Sequence, residues 1–290
     1  MRVLVVGAAG MLGRELTELI RATQSCRLFS LDLPDIDIAN PRQVRDTFHR
    51  IRPDVTLNCA AQTDVDGCER DPKLAFRVNA HGPHLLAQAA LNSRSLLVHV
   101  STDFVFDGKK RTPYVEDDEP NPLSVYGKSK LAGELAVQET GCDYIIARTS
   151  WLYGPYGKNF VWSFVIARAR KGEPLPLVTD QTGSPSYTLD VADAIIRLVH
   201  ENARGLFHVC DGGACSRIEF ATAALAEAGL KADIRPIGTQ DLNLPAPRPA
   251  YSVLSTDKVA HVLQRPMPGW KNSLKKFIKR MKTLDNPRPV

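Results

Sequence analysis

The sequence predicts an α/β protein built on a doubly wound parallel sheet, followed by a small C-terminal cap. Two observations carry that prediction. Short apolar runs alternate with stretches of helical spacing through the first half of the 290-residue chain, as in parallel strands joined by right-handed crossovers. The first of these runs ends in a glycine-rich turn at the start of a helical stretch, the arrangement that binds dinucleotides in such sheets.

The elements follow in order. Arg2 to Val6 reads as a buried strand, Met11 to Arg21 as a helix and Cys26 to Leu31 as a second strand ending at Asp32. Arg42 to Ile51 is a helix broken by Pro53, Val55 to Asn58 a third strand, Leu74 to Leu91 a long helix and Ser95 to Val100 a fourth strand. Tyr126 to Glu139 is a helix and Tyr144 to Ala147 a fifth strand. After Trp151 proline and glycine punctuate the chain. A helix over Val191 to Glu201, a strand over Leu206 to Val209 and a helix over Phe220 to Ala228 follow, and Ile237 to Tyr251 is expected to be irregular. Residues 1–150 are read as a dinucleotide-binding domain completed in part by 189–210, and residues 151–290 as a mainly substrate-binding, discontinuous cap.

Composition narrows the function. The net charge of +5 is mild and suits an anionic small substrate. The densest basic stretch is terminal, where Lys271, Lys275, Lys276, Lys279, Arg280 and Lys282 fit the wet face of a helix with Leu274, Phe277, Ile278 and Met281 inward. It lacks aromatic interleaving, so no nucleic acid or membrane partner is expected. The six cysteines show no CxxC and no zinc spacing, and reduced thiols in a cytoplasmic protein are expected. His81 and His84 can share a helix face but have no third ligand nearby. No stretch approaches a membrane span, and Arg14 and Glu15 interrupt the apolar N-terminus.

Gly7, Gly10 and Gly13 form G-x-x-G-x-x-G, with Met11 and Leu12 opening the helix. Gly7 permits the turn, Gly10 the approach of a pyrophosphate, and Gly13 close packing of helix on sheet. The helix start offers unpaired amides to phosphate. A glycine turn without ligand is the alternative, and the acid about twenty residues later weighs against it. That acid, Asp32, would accept hydrogen bonds from the adenosine ribose and repel a 2′-phosphate, which favours NADH. Asp37 and Ile38 would flank the adenine, though Asp37 fits a turn or helix cap beside Asn40 and Pro41 equally well. Ala60 and Ala61 end the third strand with side chains small enough for the backbone to lie along a cofactor.

The run VHVSTDFVF delivers Ser101, Thr102 and Asp103 to the carboxyl edge of the sheet, where ligands bind. Tyr126 and Lys130 then fall one turn apart on one helix face. The lysine charge would lower the phenol pKa and hold the nicotinamide ribose. Tyr126 would protonate a carbonyl oxygen as hydride arrives at carbon, and Thr102 would polarise that oxygen. A tyrosine packed at a helix start beside an exposed lysine is the bland alternative.

The runs GAAGMLG, NCAAQTDVD, VHVSTDFVFDG, YGKSKLAGE and RTSWLYG together resemble the extended short-chain dehydrogenase/reductase family, with its Rossmann-type sheet, and within it the nucleotide-sugar reductases. The resemblance covers nearly the whole chain, including GKNF, DQTGSPSYTLDVA, GLFHVC and APRPAYSVL. It implies reduction of the 4-keto group of dTDP-6-deoxy-L-lyxo-4-hexulose by NADPH or NADH, because members of the family often accept both. Thr102, Tyr126 and Lys130 would be catalytic, and Thr63 would lie beside both cofactor and sugar. Val65, Phe104 and Trp151 would also lie near the sugar, and Asn159, Gln181 and Arg248 near the diphosphate and neighbouring groups. Arg248 suits a diphosphate by its fork geometry, or is a surface arginine in a proline-rich loop. Phe104 stands where tyrosine is common, which removes a phenol hydrogen bond. Some relatives dimerise through magnesium held by glutamates. Glu15 matches one of these, but Leu189 stands where a second aligns, so no metal is expected and the chain is taken as monomer or homodimer. The alternatives are a reductase or epimerase of another nucleotide sugar, and a non-catalytic regulatory module like that of methionine adenosyltransferase.

Overall fold

The first strand shows how the sequence builds the sheet. In β1 (Arg2–Val6) Val3 and Val5 enter one core, and Leu4 and Val6 the other. Alternation with both sides apolar is what a strand covered on two faces requires. The computed structural model describes residues 1–23 and 26–285. β2 (Arg27–Leu31), β3 (Val55–Asn58), β4 (Leu96–Thr102), β5 (Tyr144–Thr149) and β6 (Gly205–His208) complete a six-stranded parallel sheet in the order β6-β5-β4-β3-β1-β2. The chain runs outward from β1 to β2 and then returns to β3 on the other side of β1. The topological switch therefore lies at the carboxyl ends of β1 and β3.

Helices cover both faces. On one, Leu12, Leu16 and Ile20 of α1 (Met11–Thr23) pack with Val191, Ile195 and Leu198 from the later helix Thr188–His200. On the other, Val44, Phe48 and Ile51 of α2 (Pro41–Ile51) meet Leu86, Ala87 and Ala90. α2 starts where its residues dictate. The Asn40 side-chain oxygen Oδ1 accepts the Arg42 and Gln43 amides at 3.1 and 3.2 Å, and Pro41 occupies the first turn.

The long helix expected over Leu74 to Leu91 is instead three joined segments. It starts at Pro72 behind Asp71, widens to a π-type turn over Arg77–His81, and continues as α3 (Gly82–Ser93). Pro83 has no amide to give Asn79, so the regular ladder is interrupted there. The wide turn buries the Asn79 side chain, which accepts the Gln62 amide at 2.8 Å and donates to the Gln62 carbonyl and to Ser129 at 3.0 Å. The turn thus anchors the strand-end segment that carries Ala60, Ala61 and Thr63.

Beyond β5 the chain forms a lobe held by three short strand pairs, Leu152–Tyr153 with Ser186–Tyr187, Leu175–Val178 with Ile234–Ile237, and Thr182–Gly183 with Cys215–Ser216. The segment expected to be irregular from Ile237 onward is therefore preceded by a paired strand and includes a turn of 3-10 helix at Thr239–Leu242. The lobe core is aromatic: Tyr153, Tyr187, Phe220 and Phe277 are fully buried, Tyr153 meets each of the other three rings, and Tyr187 also meets Phe277. The terminal helix Trp270–Asp285 turns Leu274, Phe277, Ile278 and Met281 inward as its spacing predicts. All six cysteines are free. No helix among the described residues is long and apolar enough to cross a membrane.

Candidate active site

A cleft of about 540 Å3 opens at the switch point, between the sheet edge and the lobe. Its floor is the glycine turn. Gly7 has φ +73°, and a Cβ there would lie 2.4 Å from the Ala60 nitrogen. A Cβ on Gly13 would lie 2.1 Å from the Gly7 carbonyl oxygen. Gly10, Met11, Leu12 and Gly13 line the cleft, and the first turn of α1 holds no acidic residue to compete with phosphate. The Asp32 carboxylate accepts the Ala9 amide at 2.7 Å and the Leu33 amide at 2.8 Å, bracing the turn from β2. These features fit a dinucleotide pyrophosphate on the helix start. Gly13→Ala is expected to weaken NADPH binding roughly 10- to 100-fold, from the cost of overpacking against rigid backbone. Fluorescence titration of the folded variant checks this, and wild-type affinity would contradict it.

The adenine-side residues are placed differently from one another. Asp37 is a turn residue, accepting the Ala39 amide at 2.9 Å and pairing with Arg77 at 3.1 Å. Ile38 is 4% exposed and packs in the core against Gly82. Neither side chain lines the cleft, so any contact with adenine there would come from backbone. Ala61 lines the cleft, while Ala60 packs beneath Gly7.

The reactive end is assembled by β4 and the helix α4 (Val125–Glu139), which Ser124 caps by accepting the Gly127 amide at 3.1 Å. Thr102, Tyr126 and Lys130 all line the cleft. The Tyr126 ring meets Phe104 edge-on at 5.7 Å, which fixes its direction. Burial pushes the Tyr126 phenol up; Thr102 opposes this and the nearby Asp103 carboxyl adds to it. The expected lowering by Lys130 is not what this geometry produces, because the ammonium points elsewhere. Lys130 donates to the Val100 carbonyl at 2.7 Å and lies 3.5 Å from His99 Nε2. The Asn58 oxygen accepts the Ala60 amide at 3.1 Å, so its NH2 faces His99 Nδ1 at 3.0 Å and the ring proton belongs on Nε2, facing Lys130. Burial brings Lys130 down to about 8, partly offset by Glu134 and Cys59.

Behind this face Arg148 of β5 grips Glu134 at 2.7 to 3.1 Å, and Ser101 donates to the same carboxylate. Asp103 is buried, accepting from Thr102 at 3.1 Å and from Ser150 at 2.8 Å; burial raises its carboxyl despite these donors.

At the lobe end, Thr63, Val65, Trp151 and Asn159 line the cleft, whereas Gln181 and Arg248 do not. Asn159 is also the cap of the turn at Phe160–Ile166, accepting the Trp162 amide at 2.8 Å. Gln181 donates to Thr239 at 2.9 Å. The Arg248 fork is already occupied, binding both Asp66 oxygens at 3.0 and 2.7 Å. This pair also accounts for the lowered Asp66 carboxyl. Arg217, Lys158, Ser150 and Phe160 line the cleft and were not foreseen. Arg217 carried a sequence signal: SRIE is a capping box, with Ser216 and Glu219 reciprocally bonded, and it places a cation at the first helical position, where the helix dipole disfavours one.

A family model described as RmlD substrate binding domain matches residues 1–283. The chain belongs to the RmlD family. Its relatives include the spore coat polysaccharide biosynthesis protein SpsK of Bacillus subtilis, 40% identical over 96% of each chain. A probable dTDP-4,6-dihydroxy-2-methyloxan-3-one 4-ketoreductase of Streptomyces antibioticus is 37% identical over 99% of this chain and 98% of its own. The crystal structure of dTDP-4-dehydrorhamnose reductase from Bacillus anthracis in complex with NADP superposes with TM-score 0.92 at 37% identity, covering 96% of this chain and 99% of that one. In this RmlD chain the Glu15 carboxylate is held by Arg280 at 2.7 Å, with Thr188 at 3.4 Å, and Leu189 packs against the aromatic core. Among the described residues no cluster of three or more His, Cys, Asp or Glu is placed to hold a metal.

Proposed function

We propose that this chain reduces the 4-keto group of dTDP-6-deoxy-L-lyxo-4-hexulose to give dTDP-L-rhamnose, using NADPH or NADH. The observation that carries the reading is the convergence of the glycine cradle, Thr102, Tyr126, Lys130 and Trp151 on one cleft. A bound nicotinamide cofactor would supply the hydride for the carbonyl carbon. Tyr126 gives its phenolic proton to the carbonyl oxygen, and burial keeps that proton on the free enzyme at neutral pH. The Thr102 hydroxyl turns from Asp103 to the same oxygen and stabilises the charge that develops there. Lys130 holds the nicotinamide ribose and returns positive charge to the site. Residues 1–150 with 189–210 hold the cofactor, and the lobe from 151 onward holds the sugar nucleotide. Oxidation of NADPH that requires the 4-keto sugar nucleotide tests the reading.

The lysine gives the reaction a pH dependence. Burial lowers its pKa, so the charge is present below about 8 and is lost as pH rises through it. The ratio kcat/KM for NADPH reports the free enzyme. It is expected to be level near neutrality and to decline by about tenfold per unit well above that pKa. A profile that stays level two units higher would contradict the role given to Lys130.

A further inference from the structure

We infer that the Arg217 guanidinium, laid flat on Trp151 at the lobe side of the cleft, is the fork that binds the diphosphate of the sugar nucleotide. The inference rests on the proposed function and assigns one of its binding groups. Arg217 reaches the cleft from the first position of the helix Arg217–Ala228. Its guanidinium carbon lies 3.4 Å from the centre of the Trp151 ring and 5.1 Å from that of Phe160. Stacking uses the faces of the guanidinium and leaves its N–H rim, which lies in the plane, available. That rim has no hydrogen bond or ion pair among the described residues. The Asp103 carboxyl acts on Arg217 electrostatically but forms no ion pair with it, and already accepts from Thr102 and Ser150.

A half-buried cation with idle donors facing a cleft suits an anion from outside the chain. The diphosphate is the anionic part of the proposed substrate, and its oxygens match the arginine fork in spacing and plane. The cofactor pyrophosphate has its own place on the glycine cradle across the cleft, built from β1 and α1. Arg248, the arginine favoured by sequence, is consumed by Asp66, whereas Arg217 is not. Trp151 then has a second role: its ring, backed by Gly183, is the platform that keeps the fork in one plane, and its backbone adopts φ +44°.

The test is calorimetric titration of the NADP-loaded protein with dTDP and with thymidine. Arg217→Gln is expected to weaken dTDP roughly 10- to 100-fold, the range for charge-assisted hydrogen bonds, and to leave thymidine unchanged. Arg217→Lys, which keeps the charge but loses the fork, should fall between. NADP affinity and Tm should remain those of the wild type. Equal dTDP affinity in wild type and Arg217→Gln would overturn the inference. So would a wild type that binds dTDP no better than thymidine. If Arg217 only props Trp151, the variant loses affinity for the intact sugar nucleotide and not for dTDP, which likewise overturns it. Turnover of the 4-keto sugar nucleotide by the wild type is scored separately, so the proposed reaction and the assignment of Arg217 stand or fall independently.

Discussion

Tyr126→Phe is expected to lower kcat by about a hundredfold or more while NADPH affinity stays within about twofold of wild type. The phenyl ring retains the edge contact with Phe104 at 5.7 Å and the cleft wall, so the fold and the cofactor cradle should not change. What is lost is the hydroxyl that burial holds in its protonated form. Stopped-flow oxidation and a cofactor titration on the same sample separate the two effects. A wild-type rate would mean that another group supplies the proton. Parallel loss of rate and cofactor affinity would mean that the tyrosine serves mainly to shape the site.

The second large effect is on stability. Arg148 and Glu134 are 4% and 2% exposed, and their fork contact links β5 to the helix that carries Tyr126 and Lys130. Arg148→Met would leave a carboxylate buried without its partner, which typically costs about 3–5 kcal/mol. Replacing both, as Arg148→Met with Glu134→Met, should recover most of that loss, because two apolar side chains need no mutual compensation. Urea unfolding of the single and double variants gives the coupling directly. A single variant within about 0.5 kcal/mol of wild type, the range of an ordinary surface substitution, would show that the pair does not tie the helix to the sheet.

The parts of the site legible in the sequence are those fixed by short spacing. The glycine turn, its strand and its helix follow from contiguous residues, as does the shared cleft face of Tyr126 and Lys130 on one helix. What surrounds those groups was not legible, because topology brings it from elsewhere. His99, held by Asn58 of β3, lies beside Lys130, and the ammonium donates to the Val100 carbonyl of β4. Arg248 looked available because its partner, Asp66, lies 182 residues away in sequence. Ile38 looked like a cofactor neighbour, but close packing against Gly82 turns it inward. Pro83 alone signalled that the long helix could not run straight, and its effect is the wide turn that buries Asn79. Arg217 was hidden in a capping box whose ordinary reading is a helix start.

The most direct test is to follow NADPH and NADH oxidation optically with 4-keto-6-deoxy dTDP-sugar generated in place by the upstream dehydratase and epimerase. Oxidation that requires the complete mixture and yields dTDP-rhamnose is the expected result, with the two rates giving the cofactor preference. Cofactor binding without turnover, or turnover only with a different keto sugar nucleotide, would contradict the proposed reaction.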